Sequence, residues 1–376
     1  MRLHDTARGE AMPFEPGSPV KIYTCGITPY DSAHLGHAAV YVTFDVLRRR
    51  LADLGLSTHC VRNITDVDDD ILRKARELGV HYLDLAAGEI ARFDSDMRAL
   101  GVLTPASEPR ATSAIPDILG FIGRVLESGH AYRAGGAVYF DVSTFPKFGQ
   151  VSHLGREEMI ELAGERGGNP DDPFKDDPLD FVLWQPSAED EPAWDSLWGK
   201  GRPGWHIECS ALALRELGAT IDLHGGGSDL IFPHHECEAA QSEAATGRTF
   251  VKHWMHVGMV RLAGAKMSKS LGNLVFVHQL LETHEPATIR LALLANHYRD
   301  SWDFDESMLD RAADRLEAWR SAGGGSGGIV AVRERLDDDL DTPGALEVID
   351  DAAASGSGVA ETARLLGVEV PERSSR

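Results

Sequence analysis

Two patterns of apolar and polar residues follow each other near the start of the chain. Residues 20–24 have the pattern of a β-strand. Residues 38–54 have helical spacing, in which Val42, Val46 and Leu51 fall on one apolar face. The pattern therefore predicts a strand that runs through a short turn into an amphipathic helix.

Strand and helix patterns repeat over residues 1–103. A second strand is predicted at 57–65, followed by helices at 71–78 and 82–100. Strands that alternate with helices indicate a parallel sheet with helices packed on it. The predicted fold class is therefore α/β with a Rossmann-like parallel sheet, and this region is predicted to be the first half of its catalytic core.

The pattern changes over residues 104–201, which combine a helix and a strand with a stretch rich in Gly, Pro and Asp. We interpret this region as a connective insertion that splits the core. The second half of the core is predicted over 202–287, with a glycine turn at 225–227 between a strand and a helix. Residues 288–376 are predicted to form a helical C-terminal region that is interrupted by a flexible glycine-rich linker at 323–328.

Composition limits the class of protein. The 376 residues include 59 acidic and 37 basic side chains, and the net charge of -22 disfavours a broad nucleic-acid surface. Residues 1–17 lack an apolar signal core and no apolar run is long enough for a membrane span, so we expect a cytoplasmic protein. Four scattered cysteines suit a reducing compartment, with at least two as metal ligands. Acidic runs such as 66–70 are expected to be solvated helix starts.

A candidate nucleotide site lies at the turn between the first strand and its helix. His34-Leu35-Gly36-His37 stands where open α/β sheets bind ligands, because a helix N-terminus offers free N–H groups and partial positive charge to phosphate. Gly36 lets a nucleotide approach the backbone, and both histidines can donate hydrogen bonds to phosphate oxygens. The alternative is that the histidines only cap the helix.

A second segment, about 230 residues downstream, supports the nucleotide interpretation. Lys266-Met267-Ser268-Lys269-Ser270 follows a turn that contains glycine, as expected for a mobile loop. The ammonium groups of Lys266 and Lys269 can neutralise the charge that develops on departing pyrophosphate. Alone, such a loop is usually only a solvated surface. In this order and at this separation, the two segments resemble the signature pair of class I aminoacyl-tRNA synthetases.

Four residues that lie far apart in sequence form a candidate metal site. Cys25 ends the first strand, Cys209 lies on the helix after the insertion, and His234 and Glu238 share one face of a later helix. Individually, these side chains are more typical of ordinary core positions. As a set they suit Zn²⁺. Because a zinc ion with an exchangeable position binds a substrate thiolate, the set indicates cysteine as the activated amino acid.

Three longer motifs resemble the cysteinyl-tRNA synthetase superfamily, and the resemblance runs over residues 21–350. The motifs are NITDVDD at 63–69, GRPGWHIEC at 201–209 and HGGGSDLIFPHHE at 224–236. Within that superfamily, the chain is most similar to the cysteine ligases of mycothiol biosynthesis. Those enzymes join cysteine to the amine of glucosaminyl-inositol (GlcN-Ins) and release AMP and pyrophosphate.

Three features favour the ligases over the synthetases. Pro29 stands in the segment CGITPYD at 25–31, residues 165–170 read ERGGNP, and the C-terminal region is short for anticodon recognition. Three residues depart from the ligase pattern: Asn169 replaces an aspartate, Val40 replaces a threonine that often contacts the adenylate, and Glu238 is a synthetase-like ligand. A cysteinyl-tRNA synthetase and a catalytically silent paralogue that binds cysteine or zinc remain the alternatives.

The resemblance implies roles for individual residues. ATP with Mg²⁺, L-cysteine and GlcN-Ins would be the substrates of a monomer that uses no tRNA. Zn²⁺ would bind to Cys25, Cys209 and His234, while Glu238 either completes the set or leaves its place to substrate. The catalytic residues would be His34, His37, Lys266 and Lys269. The residues expected to contact ATP or the cysteinyl-adenylate are Cys25, Gly26, Ile27, Thr28, Gly36, Asn63, Ile64, Thr65, Trp205, Gly227, Ser228, Asp229 and Val260.

Overall fold

The computed structural model describes residues 1–30, 33–267 and 271–370. Its strands are β1 (Arg2–Asp5), β2 (Glu10–Pro13), β3 (Val20–Ile27), β4 (Thr58–Ile64), β5 (Ala131–Ala134), β6 (Ala137–Phe140), β7 (Phe181–Gln185), β8 (Arg202–Pro203), β9 (Leu223–Gly227), β10 (Trp254–Val257), β11 (Val260–Leu262), β12 (Ala265–Lys266) and β13 (Trp302–Phe304). Its α-helices are α1 (Leu35–Asp53), α2 (Asp69–Leu78), α3 (Tyr82–Ala99), α4 (Ile115–Glu127), α5 (Arg156–Glu165), α6 (Trp205–Leu217), α7 (Glu236–Thr246), α8 (Val277–Leu281), α9 (Pro286–Leu294), α10 (Ser307–Ala322), α11 (Ile329–Asp337), α12 (Thr342–Ala354) and α13 (Ala360–Ala363).

A four-stranded sheet in the order β10, β9, β3, β4 forms the centre of the fold, and all of its neighbouring strands are parallel. In the central strand, Ile22 lies opposite Cys60 on one side and Leu223 on the other. Both Ile22 and Tyr23 are fully buried, as expected for a parallel strand that is covered on both faces. The predicted α/β class and parallel sheet are confirmed.

Helix α1 leaves the turn after β3 and packs on this sheet. It begins three residues before the predicted start, because His34 caps it by accepting a hydrogen bond from the backbone N–H of Gly36 at 3.1 Å. The predicted apolar residues Val42, Val46 and Leu51 are buried. The predicted strand-turn-helix unit is therefore confirmed.

The glycines at 225–227 lie within strand β9, so the prediction of a turn there is wrong. They pair with β10, with Gly225 opposite Met255. A Cβ atom on Gly225 would stand 1.7 Å from the carbonyl oxygen of Met255. The strand needs glycine for this close approach of backbones, which local sequence does not distinguish from a turn.

The acidic run 66–70 differs in part from the expected solvated helix start. Asp68 caps α2 by accepting a hydrogen bond from Ile71 N at 2.8 Å. Asp66, in contrast, is fully buried and accepts hydrogen bonds from the backbone N–H and the hydroxyl of Thr112 at 2.9 and 2.6 Å. The expectation is wrong for Asp66 because a distant segment packs over it.

An antiparallel sheet in the order β5, β6, β7, β8 lies between β4 and α6 in the chain. Its fully buried side chains, including Phe140 and Trp184, share an apolar core with α4, α6 and α7. Its last strand ends at Pro203, next to the N-cap of α6 at Gly204. The residues of the predicted insertion are thus packed against helices that carry candidate metal ligands.

Helices α9 to α12 contribute to the same apolar core as α1, and Leu47, Trp319 and Leu346 are buried together there. A buried ion pair also joins α1 to α9, between the Asp45 carboxylate and the Arg290 guanidinium. That guanidinium donates further hydrogen bonds to two carbonyl oxygens, of Leu100 at 3.0 Å and of Leu366 at 2.6 Å. Arg290 therefore connects four segments that are distant in sequence.

The glycine-rich stretch 323–328 differs from the flexible linker that was predicted. Its Gly323 carbonyl accepts a hydrogen bond from Val359 N at 3.0 Å. A Cβ atom on Gly358 would lie 1.6 Å from the carbonyl oxygen of Gly324, so the two backbones are in direct contact. The glycines serve close packing here rather than free extension.

The four cysteines are buried and form no disulfide in the part of the chain that the structure describes. Two of them, Cys60 and Cys237, pack in the apolar cores. None of the helices within the described ranges combines the length and the apolar character needed to cross a lipid bilayer.

Candidate active site

A cavity of about 320 Å³ opens at the carboxyl edge of the parallel sheet, where open α/β sheets bind ligands. Many residues predicted for nucleotide binding line it: Cys25, Gly26, Thr28, His34, Gly36, His37, Trp205, Gly227, Asp229, Val260 and Lys266. Val40 also lines it. The sequence analysis missed the further lining residues Tyr30, Tyr41, Asp68, Asp70, Leu230, Gly258, Met259 and Met267.

The two histidines of the first motif lie side by side at the start of α1. Their ring centroids are 3.9 Å apart. Because Nδ1 of His34 accepts the hydrogen bond from Gly36 N, the proton of the neutral His34 ring lies on Nε2. His34 therefore caps the helix and still carries a ring N–H that can bind an anion, so the two interpretations of this motif are compatible.

Lys266 also lines the cavity and lies at the end of β12. Its Nζ atom is 3.2 Å from a carboxylate oxygen of Asp229, and both side chains are partly exposed. The second predicted lysine, Lys269, lies outside the described residues. The structure thus places one of the two predicted lysines at the cavity.

Asn63 holds the backbone of Gly26, which lines the cavity. Its side-chain oxygen accepts a hydrogen bond from Gly26 N at 2.8 Å, and its side-chain nitrogen donates to the Thr65 hydroxyl at 3.1 Å. Ile27 and Ile64 are opposite each other in neighbouring strands and are buried. The predicted contacts whose side chains do not line the cavity are Ile27, Asn63, Ile64, Thr65 and Ser228.

The four candidate metal ligands meet in a buried cluster next to the cavity. One ligand atom from each of Cys25, Cys209, His234 and Glu238 lies within 4.8 Å of the others. Glu238 Oε1 is 3.1 Å from His234 Nε2 and 3.6 Å from Cys25 Sγ. These residues can hold a metal ion, and their two sulfurs, imidazole and carboxylate fit the ligand preference of zinc.

Charges within the cluster perturb its pKa values. Burial disfavours a charged His234, but the neighbouring Glu238 and Cys209 outweigh burial and raise the pKa of His234 to about 10. Burial by itself would raise the pKa of Glu238, but the charges of His224 and His234 and their hydrogen bonds lower it to about 2. Burial also opposes the thiolate of Cys209, yet a hydrogen bond from Cys25 and the charge of His234 lower its pKa to about 6. A divalent cation would replace the proton on His234 in stabilising these anions.

Further histidines surround the cluster, and the sequence analysis missed them. His224 Nε2 lies 3.2 Å from Glu238 Oε2, and His235 Nε2 lies 3.2 Å from Cys25 Sγ. Cys25, His224, His235 and Glu238 form a second set of atoms close enough to hold a metal. The signal in the sequence was the density of histidines in the HGGG and PHHE segments, but only the pairing of β9 with β3 brings them to Cys25.

Two residues outside the sheet shape the region between cluster and cavity. Trp205 lines the cavity and stacks on the ring of His234, with centroids 4.2 Å apart. Arg166, at the end of α5, donates hydrogen bonds to the carbonyl oxygens of Asp229, at 2.5 Å, and of Phe232. The ERGGNP segment is thus attached to the turn that carries Asp229 and leads to His234.

Comparison with known proteins identifies the class. A profile of the family described as tRNA synthetases class I (C) catalytic domain matches residues 13–314. The fold is similar to that of methionyl-tRNA synthetase from Mycobacterium tuberculosis in complex with methionyl-adenylate, with a TM-score of 0.70, 18% identity, and coverage of 90% of this chain and 82% of that one. It is also similar to Thermus thermophilus arginyl-tRNA synthetase, with a TM-score of 0.59, 13% identity, and coverage of 98% and 85%. The protein has a class I synthetase catalytic fold.

Relatives of higher sequence identity show which family within this class the chain belongs to. The chain is 48% identical to the L-cysteine:1D-myo-inositol 2-amino-2-deoxy-alpha-D-glucopyranoside ligase of Streptosporangium roseum, over 95% of this chain and 90% of the relative. It is 49% identical to the ligase of the same name from Nocardiopsis dassonvillei, over 93% and 88%. Within the class I synthetases, the chain belongs to this cysteine ligase family. The family resemblance predicted from the motifs is confirmed.

Proposed function

We propose that this protein activates L-cysteine with ATP and transfers it from cysteinyl-adenylate to the amine of GlcN-Ins. The products are Cys-GlcN-Ins, AMP and pyrophosphate, and the reaction belongs to mycothiol biosynthesis. One observation carries the proposal: Cys25 belongs both to the buried metal cluster and to the wall of the nucleotide cavity. A cysteine with its sulfur at the cluster would have its carboxylate only a few bonds away, on the cavity side. The names of the relatives support the same two substrates.

The ligands that we propose for zinc are Cys25, Cys209 and His234, with Glu238 as the fourth. A zinc ion bound there would supply a Lewis acid that takes the substrate thiolate as a ligand, which serine and apolar amino acids cannot offer. His224 holds the second oxygen of Glu238 at 3.2 Å. That contact fixes the orientation of the Glu238 carboxylate at the cluster, as an outer hydrogen bond commonly does for a metal ligand.

Activation would be an in-line displacement at the α-phosphate of ATP, which brings Mg²⁺ with it. A carboxylate oxygen of cysteine bonds to phosphorus, and pyrophosphate leaves. His34 and His37 would donate hydrogen bonds to phosphate oxygens, while Lys266 and Lys269 would balance the charge on the leaving group. The remaining contacts that we propose for ATP or the adenylate are Gly26, Ile27, Thr28, Gly36, Asn63, Ile64, Thr65, Trp205, Gly227, Ser228, Asp229 and Val260.

The second step needs an amine that attacks the carbonyl carbon of the mixed anhydride and displaces AMP. We further propose that the enzyme is a cytoplasmic monomer that does not use tRNA. The net charge of -22 supports the last point, because binding of a polyanion needs clustered lysines and arginines.

The deciding experiment compares acceptors. Purified protein with ATP and cysteine should catalyse pyrophosphate exchange, and it should release AMP and form an amide when GlcN-Ins is added. Labelled cysteine should not appear on tRNA. Charging of tRNA without amide formation would identify a cysteinyl-tRNA synthetase. A silent paralogue would show thermal stabilisation by cysteine but no exchange.

A further inference from the structure

The cavity has an acidic end that the proposed zinc and phosphate contacts do not use. Asp68 and Asp70 follow strand β4 and line the cavity. Lys266 lies on β12, in the three-stranded sheet that follows β10 in the chain, and β10 is the other edge strand of the parallel sheet. Three interstrand spacings, roughly 14 Å, separate β4 from β10. Carboxylates at this end would repel a triphosphate, so they suit a cationic group.

Asp68 is the carboxylate best placed to meet such a group. Asp69 is paired with Arg202, and Asp70 is paired with Arg73. No lysine or arginine in the described part of the chain pairs with Asp68. Its oxygens instead accept hydrogen bonds from Thr28 Oγ1 at 3.2 Å and from the helix-capping backbone N–H at 2.8 Å. The side chain is therefore fixed in position at the cavity without a cation of its own.

The surroundings of Asp68 also favour proton uptake. Burial raises the pKa of Asp68 to about 6, with help from the carboxylates of Asp70 and Asp69, and against its two hydrogen bonds. Burial also raises the pKa of Glu208 well above its usual range, and the negative charges of Cys209, Asp68 and Asp66 add to that rise. A base acts most efficiently when its pKa lies near the working pH. Asp68 meets that condition better than an ordinary aspartate does.

We propose that Asp68 binds the amine of the acceptor and takes its proton in the second step, an inference that rests on the proposed ligase function. The acceptor, bound as an ammonium ion, first gives one proton to the Asp68 carboxylate, and the nitrogen lone pair that is freed bonds to the carbonyl carbon of cysteinyl-adenylate. The bond from that carbon to the phosphate oxygen breaks, and AMP leaves with its electrons. The second proton that nitrogen loses passes to solvent. Thr28, a proposed adenylate contact, donates a hydrogen bond to Asp68 and so places the two reacting groups side by side.

Asp68→Asn tests this role, because the asparagine oxygen can keep the helix cap on Ile71 N while its NH2 group donates to the Thr28 hydroxyl, which can also accept. We expect pyrophosphate exchange with cysteine to stay within about twofold of wild type. Single-turnover amide formation with GlcN-Ins should fall by about 10²- to 10⁴-fold, the usual loss for a general base. The deficit should shrink as the pH rises, because more of the free amine is then unprotonated. Asp84→Asn, which removes an exposed acid from the first turn of α3, should change neither rate.

Two outcomes would overturn the inference. An equal loss of exchange and amide formation would assign Asp68 to the cysteine ammonium group instead. Unchanged amide formation would leave it without a role in the second step. A third result would separate the two proposals. If wild-type protein forms no amide with GlcN-Ins but gives cysteine hydroxamate when hydroxylamine replaces GlcN-Ins, then the proposed acceptor is wrong while the activation step stands. If GlcN-Ins amide does form, hydroxylamine should react nearly as well with the adenylate on Asp68→Asn as on wild type, because it is largely neutral near pH 7.

Discussion

His34 caps helix α1, and we propose that it also binds phosphate; a second histidine in the chain allows the two roles to be separated. His81 caps α3 in the same way, by accepting a hydrogen bond from Leu83 N, but it is exposed and does not line the cavity. We predict that His34→Asn lowers cysteine-dependent pyrophosphate exchange by about 10²-fold or more, the scale of one lost transition-state donor. Asparagine keeps the cap, so the melting temperature should change little.

The control for this prediction is His81→Asn, which should leave both exchange and melting temperature near wild type. If both variants lose exchange to the same extent, then the effect reflects helix capping rather than contact with phosphate.

Cys209 tests the metal cluster without changing the cavity wall. Cys209→Ala should lower zinc affinity by more than the ~100-fold that is lost with an outer partner of a metal ligand. Cysteine-dependent pyrophosphate exchange should fall as well, because the zinc ion that we propose to bind the sulfur of the substrate is lost. Cys60→Ala, at a buried cysteine of the apolar core, should keep its zinc. Metal analysis of the two purified variants checks the prediction, and stoichiometric zinc in Cys209→Ala would contradict it.

The residues that sequence predicted best at the site are those whose role is local. His34 and Gly36 lie in one turn, so their spacing alone indicated a helix start. Asp68 and Tyr30 were missed because their place at the cavity depends on the pairing of β3 with β4 and on the path of the chain after each strand. His224 was missed for a similar reason, since only the long-range pairing of β9 with β3 brings it near Cys25.

At the scale of elements, α5 packs against the segment after β9, and its C-cap Arg166 donates hydrogen bonds to the Asp229 and Phe232 carbonyl oxygens of that segment. We predict that Arg166→Gln lowers kcat/KM for cysteine by about 10- to 100-fold, because hydrogen bonds from a charged donor contribute about 1.5–3 kcal/mol. Zinc content should stay at the wild-type value, since Arg166 touches no proposed ligand. Steady-state exchange kinetics measure the effect.

The matched control lies at the other end of the same helix. Arg156 pairs with Asp177 on the surface, and its side chain is 54% exposed. Arg156→Gln should leave the kinetics unchanged. Equal behaviour of the two variants would show that α5 does not transmit its position to the site.

Most elements could be predicted from sequence because their patterns are local, as the helix at 38–54 illustrates. The errors came where glycine has more than one use. Residues 225–227 lie in a strand and residues 323–328 pack against another segment, although their sequences predict a turn and a flexible linker. In each case the deciding fact is another backbone, that of Met255 or of Gly358, which lies close in space.

At the scale of the molecule, the contacts of Arg290 should contribute to the stability of the whole fold, because they join distant segments in its interior. The side chains of Arg290 and Asp45 are 1% and 0% exposed. We predict that Arg290→Ala lowers the free energy of unfolding by about 3–5 kcal/mol, because two carbonyl oxygens lose a buried donor and the Asp45 carboxylate loses one of its two guanidinium partners, the other being Arg49. Urea unfolding followed by circular dichroism measures the loss.

An exposed pair offers the comparison for that loss. Arg320 of α10 binds Glu285, whose side chain is 58% exposed. Arg320→Ala should cost no more than about 1 kcal/mol. A similar cost for both variants would mean that the Arg290 contacts do not hold the C-terminal helices to the sheet.

The distribution of the metal cluster along the chain has a consequence for synthesis. Cys25 and Glu238 are 213 residues apart in sequence. At a ribosomal rate of roughly 5–20 residues per second, Cys25 would be synthesised some 10–40 seconds before its last partner. During that interval the Cys25 thiol belongs to a nascent chain in which the other residues of the cluster are not yet all present. The separation of the candidate ligands in sequence would thus make metal binding by the complete set a late event, because nearly two thirds of the protein must be translated before Glu238 is present.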